Sequence, residues 1–290
     1  MIAFVFPGQG SQKRGMGQGL FDEVPEYARF EPEVDAILGY SLRKLCLEDP
    51  ENRLKETQFT QPSLYVVNAL HHYKAISQGT RPDYVAGHSL GEYNALLAAG
   101  VFDFLTGLRL VRKRGELMSQ ARNGGMGAVI GLNSGAIAKV IADSGLTTLD
   151  VANFNTPAQT VVSGPVDDVK RAGPFFEKAG AQMYIPLQVS AAFHSRYMAD
   201  AAKTFQDFLA PMTFAAPTIP VVANVTAQPY PAGNASESVK SLLVNQITHS
   251  VQWTDSVRFL IRQGVSEFRE MGPGNVLTRM VQQIQQAKDA

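Results

Sequence analysis

The sequence predicts an α/β fold: a parallel sheet wrapped by helices, with a smaller ferredoxin-like subdomain inserted into it. Three observations predict this. Over residues 1–120, short apolar runs alternate with helical patterns, which implies parallel strands joined by helices. Between residues 128 and 187 the order becomes β-α-β-β-α-β, that of a split βαβ unit. After Val189 the first texture returns. The expected boundaries are 1–124 and 190–290 for the larger domain and 125–189 for the insertion.

The first strand is Ile2–Phe6, an apolar run stopped by Pro7 and Gly8. No basic segment precedes it, so it reads as a buried strand and not as a signal peptide. Pro62 is placed at the start of a helix whose apolar spacing runs over 64–75. Residues 84–86 form a short strand that enters Gly87, and the Ala/Leu-rich residues 92–99 a helix. A further helix, Phe104–Gln120, carries the basic run Arg112-Lys113-Arg114. The Gly-rich stretch Asn123-Gly124-Gly125-Met126-Gly127 breaks the chain. The insertion then reads as strand 128–132, helix 135–144, strands 149–155 and 159–163, helix 166–179 and strand 182–187. The larger domain resumes with helix 195–209, strand 219–223, helices 239–246 and 254–263, and strand Glu267–Glu270. Gly272-Pro273-Gly274 opens a last helix over 276–287.

Composition narrows the function classes. The chain has 290 residues, 45% of them hydrophobic, with 26 Lys+Arg against 26 Asp+Glu. That balance excludes disorder and a nucleic-acid binder living on bulk basic charge. It leaves room for a local basic patch facing an acidic partner. The single cysteine, Cys46, excludes a disulfide scaffold and points to a reduced, cytoplasmic setting. No apolar stretch approaches the ~20 residues that span a bilayer, so no membrane role is expected.

Gly87-His88-Ser89-Leu90-Gly91 fits G-x-S-x-G, the nucleophile elbow of α/β-hydrolase-like folds. A strand enters and a helix leaves it, as that motif requires. The glycines let the backbone fold sharply enough to expose the Ser89 hydroxyl, and the helix N-terminus beyond offers N–H groups to an oxyanion. The competing reading is a coincidental Gly-rich turn. Serine needs a base. Of the five histidines, His71 and His72 sit mid-helix, His88 points away from its neighbour in a tight turn, and His249 lies in a polar loop. His194 sits in the link between a strand and a helix, where a base is expected. No acid stands out as its orienter; a backbone carbonyl or an amide serves equally well chemically. Phe6-Pro7-Gly8-Gln9-Gly10-Ser11-Gln12 follows the first strand, at the ligand-binding edge of an α/β sheet or in a plain turn. The run Arg112-Lys113-Arg114 is either a solvated helix face or holds one arginine turned inward to grip a carboxylate.

Taken in order, the loop 6–12, Thr60-Gln61-Pro62, Gly87-His-Ser-Leu-Gly-Glu92-Tyr93, Arg114-Gly-Glu-Leu-Met118, Asn153-Phe-Asn155, Ala192-Phe193-His194-Ser195, Val251-Gln252-Trp253 and Gly272-Pro-Gly274 resemble the malonyl-CoA:acyl carrier protein transacylase family from Ile2 to about Val281. The resemblance implies that Ser89 attacks malonyl-CoA and forms a malonyl ester, with His194 as base. It implies a main-chain carbonyl orienting His194, at the position matching Gln252. It also implies an oxyanion hole from the N–H groups of Gln9 and Leu90, and substrate contacts from Arg114, Gln61 and Phe193. Arg114 would pair with the malonyl carboxylate and penalise acetyl-CoA, which leaves a buried charge unpaired. Phe193 resembles the malonyl-type signature, where methylmalonyl-type members carry serine.

The implied partner is a phosphopantetheinylated acyl carrier protein, with malonyl-CoA as substrate, no bound cofactor or metal, and a monomeric enzyme. Arg112, Lys113 or Arg196 would supply a basic patch for the carrier. The segments Thr57–Asn68 and Gly124–Gly131 look like free-standing, trans-acting acyltransferases of polyketide synthases. Fatty acid synthesis and an acyl-carrier-protein hydrolase are the alternatives. One departure is Asn275, where many members carry lysine.

Overall fold

The computed structural model describes residues 1–287. Strand β1 (Ile2–Phe6) leads into helices α1 (Leu20–Glu23), α2 (Pro25–Leu38), α3 (Leu42–Glu48) and the long α4 (Thr57–Ser77). Then come β2 (Tyr84–Gly87), α5 (Gly91–Ala98) and α6 (Phe104–Gln120). A second group follows: β3 (Gly124–Ile130), α7 (Ser134–Asp143), β4 (Asp150–Thr156), β5 (Gln159–Pro165), α8 (Val166–Lys178) and β6 (Met183–Pro186). A 3₁₀ turn, Arg196–Met198, opens α9 (Ala199–Leu209). The chain closes with β7 (Val221–Val222), α10 (Ala235–Thr248), α11 (Trp253–Arg262), β8 (Glu267–Glu270) and α12 (Val276–Gln286).

Two sheets result, as expected. The first has order β7-β2-β1-β8, with every pairing parallel. Its inner strand β1 is apolar throughout because helices cover both faces. Phe4 and Phe6 point into the large core with α4, α5 and α6, while Ala3 and Val5 point into a second core built on α11 and α12. The second sheet is antiparallel with order β4-β5-β3-β6, the split βαβ arrangement. Helices α7 and α8 cover one face through Ile137, Val169 and Phe176. Met126, Ala128 and Val161 on the other face join the large core. The outer strand β4 is hooked to the larger sheet's side of the molecule. Val251 N donates to Ala152 O and Phe154 N to Val251 O, each at 2.9 Å.

Several expectations need correction. Pro62 lies inside α4, not at its start, because the segment from Thr57 onward is already helical. Buried packing of Thr60, Gln61, Ser63 and Leu64 holds the helix together across the backbone hydrogen bond that a proline removes. The glycines at 124, 125 and 127 are strand residues of β3, not a break before it. A Cβ on Gly127 would sit 2.1 Å from the Tyr184 hydroxyl, so this strand is Gly-rich to admit its neighbours. Ser195 caps the 3₁₀ turn before α9 and does not belong to the helix. Helices α1 to α3 had no counterpart in the sequence reading. No helix among the described residues is long and apolar enough to cross a membrane.

Candidate active site

The end of β2 sets the geometry. A Cβ on Gly87 would lie 1.9 Å from Gly91 C, and one on Gly91 would lie 1.9 Å from Phe6 O. Only glycine fits at either end of the turn, so the backbone can fold back and lift Ser89 out with φ +50°. Asn224 braces the strained turn: its Oδ1 accepts from Ser89 N at 2.7 Å and its Nδ2 donates to Gly87 O at 2.5 Å. The loop after β1 packs directly on the elbow, where a Cβ on Gly8 would meet His88 O at 2.4 Å. Gln9 and Leu90 therefore line one cleft with Ser89. Neither backbone N–H takes part in the turn and cap hydrogen bonds around it.

Ser89 Oγ lies 2.8 Å from His194 Nε2. His194 is buried and, like Ser89, has a left-handed backbone, φ +56°. Its Nδ1 is 2.7 Å from the main-chain carbonyl of Gln246. A carbonyl only accepts, so the proton sits on Nδ1 and bare Nε2 faces the serine. The matching position inferred from the sequence, Gln252, does not do this. Gln252 is the N-cap of α11, and its carbonyl already accepts from Ser256 N at 2.9 Å. Gln246 lies in the last turn of α10, where carbonyls have no partner within the helix. The negative end of that helix also favours the imidazolium that forms when His194 takes a proton.

Burial and the Arg114 charge push the His194 pKa down to about 3, against which the Gln246 carbonyl pulls upward. The ring is thus neutral at ordinary pH, the protonation state a general base requires. We expect the His194 ring resonances to show no titration between pH 5 and 8 by NMR; a midpoint near 6.5, the value of a free histidine, contradicts this environment. The linked effect on stability has a definite sign. Between pH 6.5 and about 3 the unfolded chain binds a proton that native His194 refuses. This histidine therefore makes the fold less stable as the pH falls through that window.

Arg114 is the one member of its basic run that turns inward. Helix α6 buries Leu110, Val111, Leu117 and Met118, and Arg114 shares that stripe at helical spacing. That periodicity was the available signal for choosing it. Its Nη2 donates to Ser89 Oγ at 3.1 Å and to Gln246 Oε1 at 2.9 Å, and the guanidinium lies 5.6 Å from the Tyr93 ring centroid. Its Nε has no partner, and it makes no ion pair among the described residues. A buried cation held only by neutral acceptors is a site for an anion. By contrast, Arg112 pairs with Glu116, and Arg196 with Asp150, both on the surface.

Gln61 and Phe193 also line the cleft, with Met118, Met126 and Leu187 supplying apolar walls. Gln61 is buried; its Nε2 reaches Met118 Sδ at 3.4 Å and its Oε1 has no partner. His88 turns away from the serine, 2.8 Å from Asn155 Oδ1 and edge-on to Trp253. His72 packs against Phe4 and Phe6, and His249 is exposed near the end of α10. Asn224 and Gln246 escaped the sequence reading, since each comes from a segment remote from the elbow. No group of three or more His, Cys, Asp and Glu side chains that could hold a metal comes together among the described residues.

Residues 3–290 match the acyl transferase domain family. The chain is 53% identical, over its full length and 99% of the relative's, to the polyketide biosynthesis malonyl CoA-acyl carrier protein transacylase PksC of Bacillus subtilis. Among solved structures it is similar to the malonyl CoA-acyl carrier protein transacylase of Burkholderia pseudomallei, at TM-score 0.93 and 47% identity, covering 100% of this chain and 99% of that one. A malonyl-transacylase solved in complex with its type II polyketide acyl-carrier protein matches at TM-score 0.91 and 37% identity, covering 98% of this chain and 92% of that one.

Proposed function

The chain belongs to the acyl transferase domain family and is an acyltransferase of the malonyl-CoA:acyl carrier protein type; within that premise we propose that Ser89 carries the malonyl group between its two thiols. The observation that carries this reading is the setting of one oxygen. Ser89 Oγ has a neutral imidazole nitrogen at 2.8 Å and a buried guanidinium at 3.1 Å. The first makes it a nucleophile. The second waits for an anionic group beside the ester.

The steps follow from those positions. Ser89 Oγ gives its proton to His194 Nε2 and attacks the thioester carbonyl. The N–H groups of Gln9 and Leu90 receive the oxyanion, while Arg114 grips the free carboxylate of the malonyl group. The intermediate collapses, His194 returns that proton to the departing sulfur, and CoA leaves as the free thiol. The phosphopantetheine thiol of the carrier then enters, gives its proton to His194, and takes the malonyl group from Ser89 by the reverse path. The kinetics are ping-pong. The reaction needs no bound cofactor; malonyl-CoA is a substrate. We place the enzyme in the cytoplasm as a monomer acting in trans for a polyketide synthase; the Bacillus relative's name supports the polyketide part of this reading. No membrane or nucleic acid enters this reading.

The test is to mix enzyme and malonyl-CoA with two pantetheinylated carriers, one from polyketide and one from fatty acid synthesis. Malonyl carrier must form faster than free malonate, and faster on the polyketide carrier. Free malonate as the main product would make the protein a hydrolase; preference for the other carrier would move it to fatty acid synthesis.

Phe193 fills the cleft beside His194 and is 7% exposed. Phe193→Ser opens space for an α-methyl group, and one methyl in a tight pocket discriminates by roughly tenfold or more. Transfer from methylmalonyl-CoA relative to malonyl-CoA should rise by about that factor. An unchanged ratio would remove the ring from the specificity argument.

A further inference from the structure

Glu92 is 1% exposed and sits in the first turn of α5, directly after the elbow. Its Oε1 accepts from Tyr230 Oη at 2.6 Å and from Asn224 N at 3.2 Å, and its Oε2 accepts from Gln246 Nε2. Three donors converge on it, which is a set suited to an acceptor-only carboxylate. Burial pushes this carboxyl up to about 7, while the same hydrogen bonds favour the ionised form.

Gln246 connects this carboxylate to the reacting groups. Its amide nitrogen also donates to Ser89 O at 2.9 Å, its amide oxygen accepts from Arg114 Nη2, and its main-chain carbonyl accepts from His194. The two ends of an amide have nearly the same shape, so its partners decide which end faces Arg114. Turned over, the amide would set its N–H groups against the guanidinium and its oxygen against the Ser89 carbonyl and the Glu92 carboxylate. A carboxylate touching Arg114 directly would neutralise the guanidinium and compete with an incoming acid. Glu92 stands one amide away, so it orients the arginine without occupying it.

We propose that Glu92 is a positioning residue that sets acyl selectivity: ionised, it holds the Gln246 amide with its oxygen toward Arg114, and so keeps the guanidinium aimed at the malonyl carboxylate. This rests on the malonyl-transfer reading.

An amide at position 92 has one acceptor oxygen for three donors and turns an N–H toward Gln246, which favours the flipped amide. The experiment compares Ser89 loading from malonyl-CoA and acetyl-CoA at pH 8, in single turnover, for wild type, Glu92→Gln, Gln246→Met and the double variant. Glu92→Gln should lose about tenfold or more of the malonyl-over-acetyl preference, through weaker malonyl binding and not a slower acyl step common to both. Gln246→Met should lose a similar share, and the double variant no more than either alone. A folded Glu92→Gln with the wild-type ratio, or with equal losses for both acyl groups, overturns the proposal. Should Glu92→Gln not fold, Gln246→Met decides: a retained ratio overturns it and a lost one supports it. A wild type that takes up no malonyl group overturns the underlying reading instead.

Discussion

Ser89→Ala forms no malonyl ester and loses transfer by a factor on the order of 10⁴ to 10⁶, the scale seen when a serine nucleophile acting with a histidine is removed. The structure makes this a loss of chemistry and not of fold. Ser89 is half-buried at a turn whose shape is imposed by Gly87, Gly91 and the Asn224 side chain, none of which the substitution touches. Alanine carries the same Cβ at φ +50°, so the strain stays. Arg114 keeps its bond to Gln246, and His194 keeps its carbonyl. The variant should therefore melt within a few degrees of the wild type and still bind malonyl-CoA. Residual transfer within about tenfold of wild type would show that another group carries the acyl chain.

Arg114→Ala is expected to lose about 10² to 10⁴ in kcat/KM for malonyl-CoA, the range for breaking a buried, hydrogen-bonded charge pair. Acetyl transfer should fall far less or rise, since an acetyl group never used the guanidinium and no longer leaves it unpaired. A second readout follows from the electrostatics. The Arg114 charge is one of the two main causes of the depressed His194 pKa, after burial. Removing it lets that pKa climb back toward the free value. A variant that keeps its malonyl preference, or whose His194 pKa falls further, contradicts the assigned role of Arg114.

The parts of the site that were legible in the sequence are those encoded by local sterics. Gly87 and Gly91 announce the elbow because no other residue fits there, and the strand and helix around them are apolar runs of the right length. Periodicity could also separate Arg114 from Arg112 and Lys113, since the buried stripe of α6 passes through only one of them. The histidine's orienting carbonyl was not legible. It depends on where one helix ends and the next begins, and helix ends are the least certain feature of a sequence reading. The expected stop of α10 at Gln246 fell two residues short of its observed end at Thr248. The family resemblance placed the role at Gln252, whose carbonyl is spent capping α11. The strands and helices of both sheets were visible as patterns. Helices α1 to α3 were not, since α1 is only four residues long and α2 carries a proline inside it.

The central claim is a covalent malonyl-enzyme that the carrier empties. Treating the wild-type protein with malonyl-CoA, digesting it and locating the modified peptide by mass spectrometry tests that claim directly. The account predicts one malonyl ester, on Ser89, which disappears when pantetheinylated carrier protein is added and reappears as malonyl carrier. Carrier that becomes malonylated while Ser89 is never modified, or an ester found on a different residue, would contradict it.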